Sequence, residues 1–131
     1  MSSTRILIIA QPGPNLDSLY AVLPALVDEL MLFNAVDLAD VRAVLYEKQP
    51  RLVLIDSEIG YQEARLFYGL VSSKFPYVKI IVLSDAAHWQ SWKAITPTHQ
   101  VLLKGFSTRR LKVTLTKAIS GVAAVETHPP V

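Results

Sequence analysis

Three chemically capable side chains each close a separate apolar run. Asp56 follows Leu52-Val53-Leu54-Ile55, Ser84 follows Ile81-Val82-Leu83, and Lys104 follows Val101-Leu102-Leu103. A short apolar run without polar alternation suits a strand buried on both faces of a parallel sheet. The carboxyl ends of such strands open into the crevice where ligands bind. A carboxylate, a hydroxyl and an ammonium converging there could bind or transfer a phosphoryl group. The carboxylate would be the nucleophile, with the lysine and hydroxyl holding the phosphoryl oxygens. Asp56 alone reads more readily as a cap on the following helix. Its conjunction with Ser84 and Lys104 favours a site.

The elements that must position these residues alternate along the chain. Arg5 to Ala10 reads as a first buried strand, stopped by Gln11-Pro12-Gly13-Pro14. Leu16, Leu19, Leu23, Leu26, Val27 and Leu30 then recur at helical spacing, with a kink or distorted turn expected at Pro24. Met31 to Val36 suits a short strand. Asp37 caps a helix from Leu38 to about Lys48. After the strand ending in Asp56, Gly60 breaks the chain and Glu63 to Ser73 forms a third helix. Val78 to Ser84 is a fourth strand, Ala86 to about Ile95 a short helix, and Gln100 to Leu103 a fifth strand. Ser107 or Thr108 caps a last helix carrying Leu111, Leu115, Ala118, Ile119 and Val122 inward. Five strands alternating with five helices imply right-handed crossovers and a parallel sheet covered on both faces, an α/β fold.

Composition narrows the functions. At 131 residues, 51% hydrophobic and 18% charged, the chain suits one folded domain over 1–123. Residues 124–131 are expected to be a loose C-terminal tail. With no cysteine, disulfides and thiolate chemistry are excluded. No apolar run reaches membrane length and no cleavable leader is evident, so a soluble cytoplasmic protein without membrane contact is expected. A net charge of +2 is too small to argue for nucleic acid. His88, His99 and His128 have no metal-ligand spacing, and no glycine-rich phosphate loop is present.

In its strand ends and element order the chain resembles the receiver domain of two-component response regulators, over about residues 5–120. The motifs are Leu-Val-Leu-Ile-Asp56, Ile-Val-Leu-Ser84 and Val-Leu-Leu-Lys104. The resemblance implies a flavodoxin-like (βα)5 three-layer sandwich with sheet order 2-1-3-4-5. It also implies that Asp56 accepts a phosphoryl group from a histidine kinase, with Ser84 and Lys104 contacting that group and signalling its presence. The protein would then be a phosphorelay partner of kinases or other signalling proteins rather than an enzyme. A homodimer through the fourth helix, fifth strand and fifth helix is implied as well.

The departures are chemically consequential. The family's acidic pair at the end of the first strand is replaced by Ala10 and Gln11. Magnesium needs hard oxygen ligands and is usually bound through one or two carboxylates. Asp56 with the backbone carbonyl of Glu58 would hold Mg2+ weakly, so no cofactor is expected. The metal also neutralises charge between anionic donor and anionic nucleophile, so chemistry should weaken too. Without the acidic pair, Asp56 and Lys104 are free to form a direct, metal-free contact. Gly105 and Gly60 stand where the family commonly has proline, and Val101 where it usually has an aromatic switch residue. Glu58, Asp85 and Asp17 all read first as surface or capping carboxylates, and Glu58 is the best of the three as a substitute acid.

The resulting expectation is an atypical receiver acting as a weakly phosphorylated or unphosphorylated protein-interaction module. The alternatives are a competent Asp56 phosphoacceptor with an altered metal site, and a flavodoxin-like binder of a small ligand. Trp89 and Trp92, three apart, together with Val101 form a candidate partner surface. The basic side chains of the last helix, Arg109, Arg110, Lys112 and Lys117, read as a solvated face.

Overall fold

In the computed structural model, residues 3–96 and 100–127 are described, with side chains described up to Ser120. β1 (Thr4–Ile9), β2 (Leu30–Ala35), β3 (Leu52–Asp56), β4 (Lys79–Ser84) and β5 (Gln100–Leu103) form one sheet. Every pairing is parallel, in the order β2-β1-β3-β4-β5. The α/β class and the 2-1-3-4-5 order are therefore those expected.

Alternation along the strands sorts the core onto two faces. Ile6, Ile8, Leu52, Leu54, Ile81 and Leu83 point to one side. There they meet α1 (Pro14–Leu26) and α5 (Thr108–Thr127) through Leu16, Leu19, Leu23, Leu111 and Leu115. Leu7, Ile9, Val53, Ile55, Ile80 and Val82 point to the other side. Here the cover is α2 (Leu38–Lys48), α3 (Tyr61–Lys74) and α4 (Trp89–Ile95), through Val41, Leu45, Phe67, Val71 and Trp92. With helices on both faces every residue of β3 is buried, which explains the unbroken apolar run before Asp56. Each fully buried aliphatic side chain there contributes about 1.5–3 kcal/mol.

Helix ends follow the local chemistry. The Asp37 carboxylate accepts from the Asp40 amide at 2.8 Å, capping α2 as expected. Asp37→Ala should cost about 1 kcal/mol, visible as a lower urea midpoint at unchanged slope. An unchanged midpoint would remove the cap from the account. Ser107 caps α5, its hydroxyl accepting from the Arg110 amide at 3.1 Å. Pro24 falls in the last turn of α1, which stops at Leu26, so Leu30 belongs to β2 and not to the helix.

Two other boundaries differ from expectation. α4 starts at Trp89, because the Asp85 carboxylate takes the His88 amide at 2.9 Å and holds the preceding residues in a turn. α5 continues helical to Thr127, into the stretch expected to be loose, and residues 128–131 lie outside the described residues. His99 and His128 likewise fall outside them. No described helix is long and apolar enough to cross a membrane.

Candidate functional site

The strand order reverses between β1 and β3, since the chain leaves β1 toward β2 and returns on its other side. A crevice forms at such a switch point, outside the carboxyl ends of the strands. Ile9 pairs with Ile55 and Asp56 with Leu83, which places Asp56 beside Ala10 and one strand away from Ser84. Lys104 continues β5, its amide donating to the Ser84 carbonyl at 2.8 Å. All the expected strand ends therefore meet at one rim.

Asp56 is 2% exposed. The Lys104 Nζ lies 2.5 Å from its Oδ1 and 3.2 Å from Oε2 of Glu58. The Glu58 amide donates to the same Asp56 oxygen at 3.0 Å, so Asp56 also caps the 3-10 turn Ser57–Ile59. The cap and the site are one residue. The direct Asp56–Lys104 contact is present, and Glu58 adds a second carboxylate to the same ammonium. Burial acts to lower the Lys104 pKa, but the hydrogen bond and charge of Asp56, then those of Glu58, outweigh it and raise the value. Lys104 therefore stays an ammonium throughout the neutral range.

Ser84 behaves differently. It is fully buried, and its hydroxyl donates to the Asp85 carbonyl at 2.8 Å. The strand end puts Ser84 at the rim, but its hydrogen bond is local. Ala10 is fully buried and Gln11 is exposed. The Ala10 carbonyl accepts from Asn34 Nδ2 at 3.1 Å. Among the described residues no group of three acidic or histidine side chains converges on a point where a metal would sit. Oδ1 of Asp56 is engaged by the Lys104 ammonium and the Glu58 amide, and Oε2 of Glu58 by Lys104 and Asn15.

Three residues contribute beyond those expected. Asn15, which in sequence only starts a helix, donates its side-chain amide to Oε2 of Glu58 and ties α1 to the turn after β3. The Ser57 hydroxyl accepts from the Asp85 amide at 3.1 Å, joining the loops that follow β3 and β4. Asn34 donates to the carbonyls of Ile8 and Ala10, steadying the end of β1. No spacing in the sequence marks these contacts, because each partner lies at least 24 residues away.

Asp85 acts as the cap already described, and its carboxylate also meets His88 Nδ1 at 3.0 Å. Burial, the largest single influence, raises its pKa, but the His88 amide and ring and the charge of Lys104 together outweigh it and bring the net value below the usual carboxylate range. His88 in turn stacks on Tyr61 at 4.2 Å.

The partner surface expected at Trp89, Trp92 and Val101 needs correction. Trp92 is fully buried, edge-on to Tyr61 and Tyr68 at 5.6 and 5.7 Å. Their three-residue spacing does not keep Trp89 and Trp92 on one exposed face, because α4 lies against the sheet and turns Trp92 inward. Trp89 is half-buried under the Lys93 ammonium, and Val101 is half-buried against the core. Gly60 and Gly105 adopt φ of 116° and 95°. Proline is locked near −65°, so neither loop could keep its path with proline there.

Between α1 and α5 a cavity of about 240 Å³ opens onto Asp56 and Lys104. Its walls include Leu19, Val22, Leu83, Phe106 and Leu111, with the polar side chains of Asn15, Ser18 and Thr108.

No protein-family model and no curated protein matches the sequence. Solved structures do match. The N-terminal signal receiver domain of a two-component response regulator from Bacteroides fragilis aligns with a TM-score of 0.76 at 17% identity, covering 89% of this chain and 97% of that one. A response regulator receiver domain protein from Clostridium thermocellum gives 0.73 at 16% identity, over 93% and 98%. A two-component transcriptional regulator AraC from Clostridium phytofermentans gives 0.71 at 18% identity, over 97% and 100%. The chain has the flavodoxin-like fold of receiver domains.

Proposed function

We propose that this receiver-fold chain is a receiver domain of two-component signalling, working mainly as a protein-interaction module and not as an enzyme. Its partners would be a histidine kinase or another signalling protein of the cytoplasm. Phosphorylation of Asp56 would be weak or absent, with no resident cofactor and at most weak Mg2+ binding.

The observation that carries this reading is the seating of Asp56. It is buried, 2.5 Å from the Lys104 ammonium, in a crevice whose first-strand acids are replaced by Ala10 and Gln11. To react, the carboxylate must attack a phosphorus atom while its charge is held by Lys104 and the Glu58 amide. A bound ammonium lowers the availability of the nucleophile's lone pairs. With Ala10 and Gln11 in place of the acids, Mg2+ would be held weakly and would offset little of the repulsion between anionic donor and nucleophile.

The direct test is the intact mass of the protein after incubation with acetyl phosphate and Mg2+, beside Asp56→Asn. The expected result is no adduct, or a trace that the variant lacks. A stoichiometric, base-labile adduct on the wild type alone would establish the competent phosphoacceptor instead. That second reading draws on one observation, the Glu58 carboxylate standing 3.2 Å from Lys104 at the crevice mouth.

A further inference from the structure

We propose that the cavity between α1 and α5 binds a small organic ammonium with an apolar body, its charged head placed on Asp56. The inference rests on the reading of Asp56 as a carboxylate that stays unmodified, and it names the ligand class that the same crevice would take.

The first support is the unused valence of Asp56. Its Oδ1 receives both the Lys104 ammonium and the Glu58 amide. None of the hydrogen bonds among the described residues ends on Oδ2. Asp56 lines the cavity, and Trp92 Nε1 is the one buried side-chain polar atom left without a partner among the described residues, so Oδ2 opens to the cavity and takes its donor from whatever fills it. A ligand N–H would supply it.

The second support is charge. Asp56 and Glu58 carry two negative charges, and Lys104 supplies one positive charge, which leaves the cluster at −1. Asp85 adds a further carboxylate within electrostatic reach of Lys104. A monocation neutralises the three-residue cluster. A carboxylate or phosphate would raise its charge to −2 or beyond, directly beside the buried Asp56 carboxylate.

The third support is shape. The walls beyond the charged end are apolar, formed by Leu19, Val22, Leu83, Phe106 and Leu111. They offer a hydrocarbon body the burial that drives small-ligand binding. At about 240 Å³ the space is below the roughly 300–1,000 Å³ of drug-sized sites, which limits the ligand to one ring or a short chain.

Phenethylamine is the probe, with 2-phenylethanol as its neutral counterpart and 3-phenylpropanoate as its anionic one. Backbone amide NMR shifts are followed in protein free of Mg2+ and phosphoryl donors. Phenethylamine should move the amides of Leu19, Lys104, Phe106 and Leu111 saturably, and should bind about tenfold more tightly than 2-phenylethanol. Asp56→Asn, which keeps the size of the side chain, should erase that preference for the amine. Val22→Phe, which fills the cavity from its half-buried wall, should weaken both ligands.

Equal binding of amine and alcohol, tighter binding of the anion, or no shift at millimolar amine would each overturn the proposal. Because no phosphoryl donor is present, the result is independent of the adduct measurement. An amine site on a protein that also accepts a phosphoryl group would sink only the unphosphorylated reading. A protein that neither accepts the group nor binds the amine would sink only the ligand.

Discussion

Replacing Lys104 with alanine is expected to destabilise the protein by about 2–4 kcal/mol and to lower its melting temperature by roughly 10 °C. The loss comes less from the missing attraction than from what remains. Asp56 is 2% exposed and, among the described residues, would be left with the Glu58 amide as its hydrogen-bond partner. An uncompensated buried charge costs more than an intact pair contributes, which is why breaking one side of a buried pair is severe. Because the Lys104 side chain is itself 28% exposed, the expected loss sits toward the lower part of the range for buried pairs.

The control is the double variant Lys104→Ala with Asp56→Asn, which should recover most of the loss by removing the stranded charge. The pH profile adds an independent check. Lys104 has a raised pKa in the folded state, with burial opposing and Asp56 and Glu58 prevailing. Its contribution is therefore complete below the unfolded lysine value near pH ~10.4, and fades as pH rises through the higher folded value. Wild type and Lys104→Ala should differ fully at neutral pH and converge only under strongly alkaline conditions. A single variant as stable as wild type at pH 7 would mean that the Asp56–Lys104 pair does not hold the crevice together.

Trp92→Ala should be comparably or more damaging, at about 3–5 kcal/mol by urea denaturation. Trp92 is fully buried among Tyr61, Tyr68 and the aliphatic core on the side of the sheet covered by α2, α3 and α4. Removing its ring leaves a void that α4, a helix of only seven residues, would have to collapse into. Trp92→Phe should be much milder, about 1–2 kcal/mol. Among the described residues the indole Nε1 has no hydrogen-bond partner, so phenylalanine surrenders volume without surrendering a bond. If phenylalanine proved as costly as alanine, the indole N–H would have to be engaged after all.

The two predictions separate the roles of neighbouring features. Lys104 tests whether the crevice is a closed electrostatic unit. Trp92 tests whether the α4 region is core and not a surface for partners. A partner that reads this part of the molecule would meet the half-buried Trp89, with Lys93 5.3 Å above its ring, and not Trp92.

Much of the fold was legible because strand burial and helix caps are written locally. Leu52 to Asp56 could only be a doubly covered strand, and Asp37 could only help α2 begin. The crevice was legible to the same depth. Asp56, Ser84 and Lys104 each end an apolar run, and parallel strands must bring such ends to one side of a sheet. Ala10 and Gln11 showed equally directly that the acids beside Asp56 were gone.

What the tertiary structure alone decided is where each side chain spends its hydrogen bonds. Ser84 was placed correctly at a strand end, yet its hydroxyl turns to the carbonyl of Asp85, a choice made by the loop after β4. Trp89 and Trp92 share a helical spacing, but only the packing of α4 against the sheet made one core and left the other half exposed. Asn15 and Glu58, 43 residues apart, meet because α1 begins where the turn after β3 ends. Sequence determined that Asp56 would stand at the rim with Lys104 in reach, since strand ends and covalent chain length dictate both. The fold decided that Lys104 would be shared with Glu58 and that a cavity would open beside them, because both depend on how helices from distant parts of the chain come to rest against the sheet.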